Sequence, residues 1–254
     1  MMIMNSLVKR ISEKLTDIVN LDPNILLVYH NGSFVVGTNT DSSDIDFVIV
    51  VESKDDVDVV LEELKGNLNF IGVNHEVPNF EFEGKTVAIC IYDNEAMDFF
   101  TNVLFRSKED FLQWQKFVQH KIIETEPLFD PHNLLDLYRS RVFDDKNIIW
   151  DEVFSDSISE LEKILSEWKN TGFRNEFNFI SHLPDILEKI CTAIYSKNKK
   201  FFMVHYKRLP RDLDTLKPEI KTEMYFLIKG DNGPENLDQK RLMTERIVDK
   251  LKVG

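Results

Sequence analysis

The pattern of apolar and polar residues changes its period along the chain, and the first part alternates between helical and strand-like segments. Apolar residues spaced three and four apart open the chain and predict an amphipathic helix: Leu7, Ile11, Leu15 and Ile18. Two short apolar runs follow at 25–29 and 45–51 and predict strands. The second run, IDFVIVV, is apolar on both faces, which is typical of a strand at the centre of a sheet.

Residues 55–93 continue this mixed pattern. One apolar face predicts a helix over 55–65, and alternation on both sides of the turn at 83–85 predicts a hairpin over 79–93. From residue 94 onward the spacing is helical, and Ser107 with Asp110 resembles a capping box ahead of the next helix.

Only helical patterns remain after about residue 148. They predict helices over 156–169, 182–197, 217–229 and 235–251. The chain is therefore predicted to be α/β, of the α+β kind, in its first part and all-α in its second. The switch lies between residues 125 and 150, which gives a first domain at 1–140 and a helical domain at 141–254.

Composition excludes several classes of protein. The 254 residues include 31 basic and 44 acidic side chains, and the net charge of −13 argues against general binding of nucleic acid and favours a cationic partner or a bound cation. No run of about 18 apolar residues predicts a membrane span, and the first residues lack the apolar core of a signal peptide. Cys90 and Cys191 stand alone in apolar stretches, which predicts buried thiols without a disulfide framework or a cysteine-based zinc site. We therefore expect a cytoplasmic protein.

Two acidic residues stand where the second strand begins. Asp44 and Asp46 are two apart, so their carboxylates point to one face of that strand. Like charges at that spacing repel each other, unless a divalent cation lies between them. Because Mg²⁺ prefers carboxylate oxygens together with phosphate oxygens from a substrate, the pair predicts a magnesium site.

A Gly-Ser turn after the first strand adds a phosphate-binding element. Gly32 lets the backbone approach a ligand closely. Ser33 offers a hydroxyl and an N–H group at the start of a predicted short helix, where an anion is favoured. Phosphate donors beside paired carboxylates indicate phosphoryl or nucleotidyl transfer. We interpret His30, just before the glycine, as a structural hydrogen-bonding residue.

The combined pattern Gly32-Ser33-x10-Asp44-x-Asp46 resembles the signature of the DNA polymerase β-like nucleotidyltransferase superfamily. Gly37, Ser43 and the flanking apolar strands agree with the resemblance. It implies an α+β domain with a small mixed sheet that binds a nucleoside triphosphate with Mg²⁺. An acceptor hydroxyl then attacks the α-phosphorus, and pyrophosphate leaves.

The resemblance also implies roles for individual residues. Asp44 and Asp46 would hold the metal ions, and Gly32, Ser33 and Ser43 would bind the nucleotide. In the helical part, Lys207 is the candidate for neutralising pyrophosphate. The alternative for Lys207 is a solvated position in a basic cluster with Arg208 and Arg211.

The segment 126–131 and the helical tail around 201–209 resemble small-molecule nucleotidyltransferases of the kanamycin type, which modify antibiotics. This likeness implies ATP as the donor and a small-molecule acceptor, for which a cationic, aminoglycoside-like compound would suit the negative charge. A protein or the end of a tRNA is the alternative acceptor, although the acidic balance disfavours nucleic acid. The sequence leaves open whether the protein forms a homodimer.

The chain departs from the superfamily at one position. Many members carry a third carboxylate on a later strand, and the matching position here is near Ala88. Three explanations remain open. Another acid serves instead, from the set Glu76, Glu81, Glu83 and Asp93; the enzyme works with two carboxylates and another base; or the protein binds nucleotide without transferring it.

Overall fold

The computed structural model describes residues 2–19, 22–102, 118–143, 150–171, 176–200, 218–229 and 234–253. The chain divides into two compact units, residues 1–148 and 149–254. The predicted capping box at Ser107 and Asp110 and the candidate Lys207 lie outside the described residues. The assignment of a catalytic role to 1–140 and a substrate or partner role to 141–254 stays a prediction.

The first unit alternates strands and helices. Its regular elements are, in chain order, α1 (Met2–Val19), β1 (Ile25–Asn31), β2 (Ile45–Val51), α2 (Lys54–Asn67), β3 (Asn69–Asn74), β4 (Val77–Phe82), β5 (Lys85–Asp93), α3 (Asn94–Asn102), a π-helical turn (Gln119–Ile123), β6 (Glu126–Phe129) and α4 (Leu134–Val142).

The six strands form one mixed sheet in the order β3-β4-β5-β2-β1-β6. Strands β2 and β5 are parallel, and the other neighbours are antiparallel. The run 45–51 lies at the centre, between β1 and β5, so the prediction of a central strand is confirmed. The α+β fold with a small mixed sheet is confirmed as well.

One face of the sheet packs against α1 and α2 through its central strands. Alternate residues of β2 and β5, such as Phe47 and Ile89, are fully buried there against α1 and α2. The four apolar residues that predicted α1 all belong to this core. Because these residues recur every three to four positions, α1 buries one apolar face, and the packing of that face supplies most of the helix's stability.

The opposite face is covered only in part. Helices α3 and α4 lie against β5, β2 and β1, with buried side chains such as Met97 and Tyr138. Where β2 begins, Asp44 is exposed, and Asp46 and Ala88 are half-buried. The fold therefore leaves this end of the sheet face accessible, and it carries the paired carboxylates.

The second unit contains helices within its described residues: α5 (Trp150–Thr171), α6 (Glu176–Lys197), α7 (Pro218–Ile228) and α8 (Pro234–Val253). All four contribute to one apolar core that includes Leu161, Ile190, Met224 and Ile247. The prediction of an all-helical second part is confirmed for 150–171, 176–200, 218–229 and 234–253, the residues described there. No helix among the described residues is long and apolar enough to cross a membrane.

Two strands and one turn differ from the sequence predictions. Strands β3 and β6 were not predicted; β3 is a largely exposed edge strand and β6 has four residues. The short helix expected after Gly32 is a hydrogen-bonded turn over 33–37. The turn ends at Gly37, whose φ is 72°, and a helix cannot continue through that left-handed conformation.

Candidate active site

Asp44 and Asp46 lie on the accessible face of the sheet. Asp46 is the second residue of β2, and Asp44 immediately precedes that strand. Asp46 pairs with Asn31 on β1 and with Ala88 on β5. Because side chains alternate along a strand, Asp46 shares the face that carries Ala88. Asp44 lies on the same side, since it lines a cleft together with Asn79 and Thr86 of that face.

The turn after β1 approaches the Asp46 carboxylate closely. Gly32 has a φ of 84°, and a Cβ atom placed on it would lie 2.1 Å from Asp46 Oδ2. Only glycine satisfies both the conformation and the space. Gly32 is therefore required to bring the turn against the carboxylate.

Ser33 begins this turn and is half-buried. The Thr38 N–H donates to the Ser33 carbonyl at 2.9 Å, and the Val36 N–H donates to the Gly32 carbonyl at 3.4 Å. These bonds hold Ser33 beside the row formed by Asn31, Asp46 and Ala88. Its proposed contact with phosphate stays a prediction.

Ser43 shapes the loop that delivers Asp44. Its hydroxyl accepts a hydrogen bond from the Thr40 N–H at 2.8 Å, and its own N–H donates to the Thr40 carbonyl at 3.0 Å. Ser43 is buried, whereas Asp44 is exposed. In this arrangement the Ser43 hydroxyl holds the loop, and its predicted role in nucleotide binding stays a prediction.

Ala88 occupies the position beside Asp46, as the sequence comparison with the superfamily suggested. Among the alternative acids, Glu81 pairs with Thr86 and so shares the accessible face. Glu83 is bound to Arg10 of α1, which covers the opposite face. Asp93 accepts the Ala96 N–H at 2.7 Å at the start of α3, at the far end of β5.

Lys121 on the π-helical turn also reaches this face. Its ammonium group donates to Cys90 Sγ at 3.2 Å. With the Asn31 amide oriented to satisfy both its partners, Asn31 Oδ1 accepts from Lys121 Nζ at 3.1 Å and Asn31 Nδ2 donates to the Asp46 carbonyl at 3.0 Å. Lys121 was not predicted as a site residue, because a lysine in a helical pattern gives no signal of the strand that it faces.

A cleft opens beside Asp44, with a volume of about 290 Å³. Its other lining residues come from β3, β4 and β5 and are uncharged: Ile71, Gly72, Val73, Asn74, Asn79 and Thr86. Ile71 and Val73 are exposed apolar residues of the edge strand. The cleft thus combines one carboxylate with an apolar wall and three small polar side chains.

His30 points away from the site. Its ring lies 5.0 Å from the ring of Phe47 and 6.5 Å from that of Phe34, on the buried face. Its Nε2 atom has no hydrogen-bond partner among the described residues. Burial lowers the pKa of His30 from 6.5 to about 4, so the ring is neutral at physiological pH. It contributes packing instead of the expected hydrogen bonding through Nε2.

The residues present fit a Mg²⁺ ion. Two carboxylates on one face, beside a turn that only glycine can form, match a metal that completes its shell with water and phosphate oxygens. Within the described part of the chain, no group of three or more His, Cys, Asp and Glu side chains is placed to hold a metal. The site therefore offers fewer protein ligands than an all-protein metal cage.

Comparison with known proteins agrees with this geometry. Residues 13–97 match the family model "Polymerase beta, Nucleotidyltransferase". The match begins within α1 and runs through β5 to the start of α3, and so includes the strands and the turn that position Gly32, Asp44 and Asp46. No curated protein matches the chain in sequence.

Three solved structures are similar at low identity. A nucleotidyltransferase-like protein from Exiguobacterium sibiricum is 12% identical with a TM-score of 0.44, covering 97% of this chain and 75% of that one. A toxin-antitoxin structure with AMP-PNP is 13% identical with a TM-score of 0.31, covering 60% and 97%. A spectinomycin adenyltransferase from Enterococcus faecialis, with ATP and spectinomycin, is 14% identical with a TM-score of 0.31, covering 94% and 97%. At these scores none of the three bears on the activity of this chain.

Proposed function

We propose that this protein, a nucleotidyltransferase with a polymerase β-type domain over residues 13–97, moves a nucleoside monophosphate from a nucleoside triphosphate to a hydroxyl of a small-molecule acceptor. ATP is the proposed donor and Mg²⁺ the proposed metal. The observation that carries the proposal is the pair of carboxylates, Asp44 and Asp46, on one accessible face beside the Gly32–Ser33 turn.

The reaction follows from the chemistry of the donor. The acceptor oxygen forms a bond to the α-phosphorus, the bond from that phosphorus to the α–β bridging oxygen breaks, pyrophosphate leaves, and the proton of the acceptor hydroxyl passes to solvent water. Asp44 and Asp46 would hold Mg²⁺, which supplies charge neutralisation to the phosphates when bound. The turn at Gly32 and the Ser33 hydroxyl would donate hydrogen bonds to the β- and γ-phosphate oxygens and so orient the leaving group.

The cleft beside Asp44 supports a small acceptor. Its volume of about 290 Å³ lies at the low end of ligand pockets. Asn74, Asn79 and Thr86 can hydrogen-bond hydroxyl groups, and the side chains of Ile71 and Val73 can pack against a ring. A cationic acceptor is further supported by Asp44 and by the net charge of −13.

A second candidate function is nucleotide binding without transfer, and Ala88 is the observation that favours it. An alanine cannot accept the proton that the acceptor hydroxyl loses. General base catalysis contributes about 10²- to 10⁴-fold, so its loss slows the reaction without abolishing it. For this reason we place catalysis first.

Compartment and assembly are proposals of the same kind. A cytoplasmic location is supported by the two free, buried cysteines. A homodimer is compatible with the sequence, and sedimentation of the purified protein would test it.

The experiment is a transfer assay with ATP labelled at the α-phosphate. The protein is incubated with Mg²⁺, labelled ATP and a panel of aminoglycosides and uncharged polyols, and pyrophosphate release is measured. We expect release with at least one acceptor, label on that acceptor, and loss of both in Asp46→Asn. A parallel reaction with cell lysate detects label on protein or RNA, which would replace the small-molecule acceptor by a macromolecule. Metal-dependent ATP binding without any release would favour the second candidate.

A further inference from the structure

We propose that, in the absence of a third carboxylate beside Asp46, the Lys121 ammonium group binds the triphosphate of the donor nucleotide directly, and that the site operates with one Mg²⁺ ion. This inference rests on the proposed function, because it names the residue that binds the negatively charged triphosphate at the same site. It concerns a residue outside the matched segment 13–97.

The contacts of Lys121 place its ammonium group over β2. Asn31 lies on β1 and Cys90 lies on β5, which are the two neighbours of β2. Adjacent strands are about 4.8 Å apart, so a group that bonds to both side chains must lie above the strand between them. Asn31 pairs with Asp46 and Cys90 pairs with Val48, so the ammonium lies over the stretch Asp46–Val48.

The position left by the absent carboxylate adjoins this cation. Ala88 lies beside Asp46 and two residues before Cys90 on the same face of β5. A carboxylate at residue 88 would therefore lie within ion-pairing reach of Lys121 and would compete with a metal. With alanine there, Asp44, Asp46 and Lys121 bring two negative charges and one positive charge to the start of β2, whereas Glu81 lies two strands away on β4. That balance suits one divalent cation and an ammonium group.

The Lys121 ammonium group also has an N–H donor left with which it can bind an anion. Asn31 and Cys90 are neutral partners, and they use two of its three N–H donors. The described residues give Lys121 no carboxylate partner. A half-buried cation with neutral partners gains most from an anionic ligand, and a phosphate oxygen is the anion that the proposed reaction brings.

The backbone around Lys121 is held in place. Arg139 on α4 donates to the carbonyls of Ile122 at 3.1 Å, Ile123 at 3.4 Å and Thr125 at 2.9 Å. The turn that carries Lys121 is π-helical, a geometry that recurs at functional sites. Lys121 is therefore presented to the sheet by a fixed segment.

The first experiment measures binding of a non-hydrolysable ATP analogue with Mg²⁺ by calorimetry. We expect Lys121→Met to weaken binding about 10-fold or more, because it removes a charge-assisted contact while keeping the apolar stem. Lys121→Arg should recover part of the affinity. Lys54→Met removes an exposed lysine at the start of α2 and should change nothing. Affinity in Lys121→Met equal to that of the wild type would overturn the inference.

The second experiment counts metal ions by the spin-resonance signal of Mn²⁺ in the presence of the saturating analogue. We expect one Mn²⁺ for each bound analogue in the wild type, and two in the double variant Ala88→Asp/Lys121→Met. Two ions in the wild type would overturn the inference without any variant, even if Lys121→Met failed to fold. If the wild type bound no analogue, both the proposed function and the inference would be overturned. If the wild type bound the analogue and Lys121→Met bound it equally well, only the inference would be overturned.

Discussion

Gly32 lies so close to the Asp46 carboxylate that no larger residue fits between them. We expect Gly32→Ala to weaken Mg²⁺-dependent nucleotide binding at least about 10-fold, because the new methyl group must displace Asp46 Oδ2. The left-handed backbone adds a cost of about 1 kcal/mol to the free energy of folding.

Gly37 provides the matched control for this prediction. Its φ of 72° gives Gly37→Ala a similar backbone cost, but a Cβ atom there meets nothing within 4 Å. Calorimetric titration should therefore show near-normal nucleotide affinity for Gly37→Ala. Equal losses in the two variants would mean that backbone strain, and not the approach to Asp46, explains the effect.

His30 makes stability depend on pH. Its pKa is about 4 in the folded protein and 6.5 when exposed, so between these values the unfolded chain binds more protons. Stability should therefore fall as the pH is lowered from 6.5 to 4, by about 3 kcal/mol from this residue. His30→Leu keeps the packing volume, and we expect it to remove this part of the pH dependence.

Thermal melting across that pH range checks the His30 prediction. His132→Gln, at an exposed position, should leave the pH profile of the wild type unchanged. If His30→Leu and the wild type lost stability in parallel on acidification, another group would be responsible.

At the scale of elements, Arg139 ties α4 to the segment that carries Lys121. We expect Arg139→Met to destabilise residues 118–129 by about 2 kcal/mol, because it leaves the carbonyls of Ile122, Ile123 and Thr125 without their shared donor. Hydrogen exchange of these residues, followed by mass spectrometry, measures the effect.

The variant Asp136→Ala distinguishes the two kinds of contact that Arg139 makes, because it removes the ion pair and leaves the hydrogen bonds to the carbonyls. Its carboxylate lies 3.3 Å from Arg139 Nη1 and is 78% exposed. Asp136→Ala should therefore cost about 0.5 kcal/mol or less. Faster exchange of equal size in both variants would show that the ion pair, and not the carbonyl contacts, holds the segment.

The sequence allowed most elements to be predicted, because their burial is periodic. Helix α1 and strand β2 follow their apolar patterns closely. Strand β3 was not predicted, because it is an exposed edge strand. A strand that buries few side chains shows little alternation of apolar and polar residues in the sequence. Strand β6 is too short to show a period.

The sequence predicted those site residues whose positions follow from their spacing along a single strand. Asp44 and Asp46 are two apart across the start of β2 and lie on one side of the sheet, and the alternation of β5 places Ala88 beside Asp46. Lys121 could not be found in this way, because its contact with Asn31 joins residues ninety positions apart and depends on how the π-helical turn packs. The predicted short helix after Gly32 was wrong, since Gly37 adopts a left-handed conformation that ends the turn.

At the scale of the whole molecule, Lys207 is the sequence-based candidate for a contribution from the helical part. If it neutralises pyrophosphate, Lys207→Met should weaken ATP binding about 10-fold and leave AMP binding unchanged, because AMP lacks the β- and γ-phosphates. Lys200→Met, at an exposed position near the end of α6, is the control. Equal effects on ATP and AMP would indicate a structural role for Lys207.

The most direct test of the central claim is calorimetric titration of ATP and its non-hydrolysable analogue, with and without Mg²⁺. The wild type and the double variant Asp44→Asn/Asp46→Asn are compared. We predict binding that requires Mg²⁺ in the wild type and is lost in the double variant, because the two carboxylates hold the ion that bridges to the phosphates. Binding that is independent of Mg²⁺, or that survives in the double variant, would contradict the assignment of Asp44 and Asp46 as the metal-binding pair.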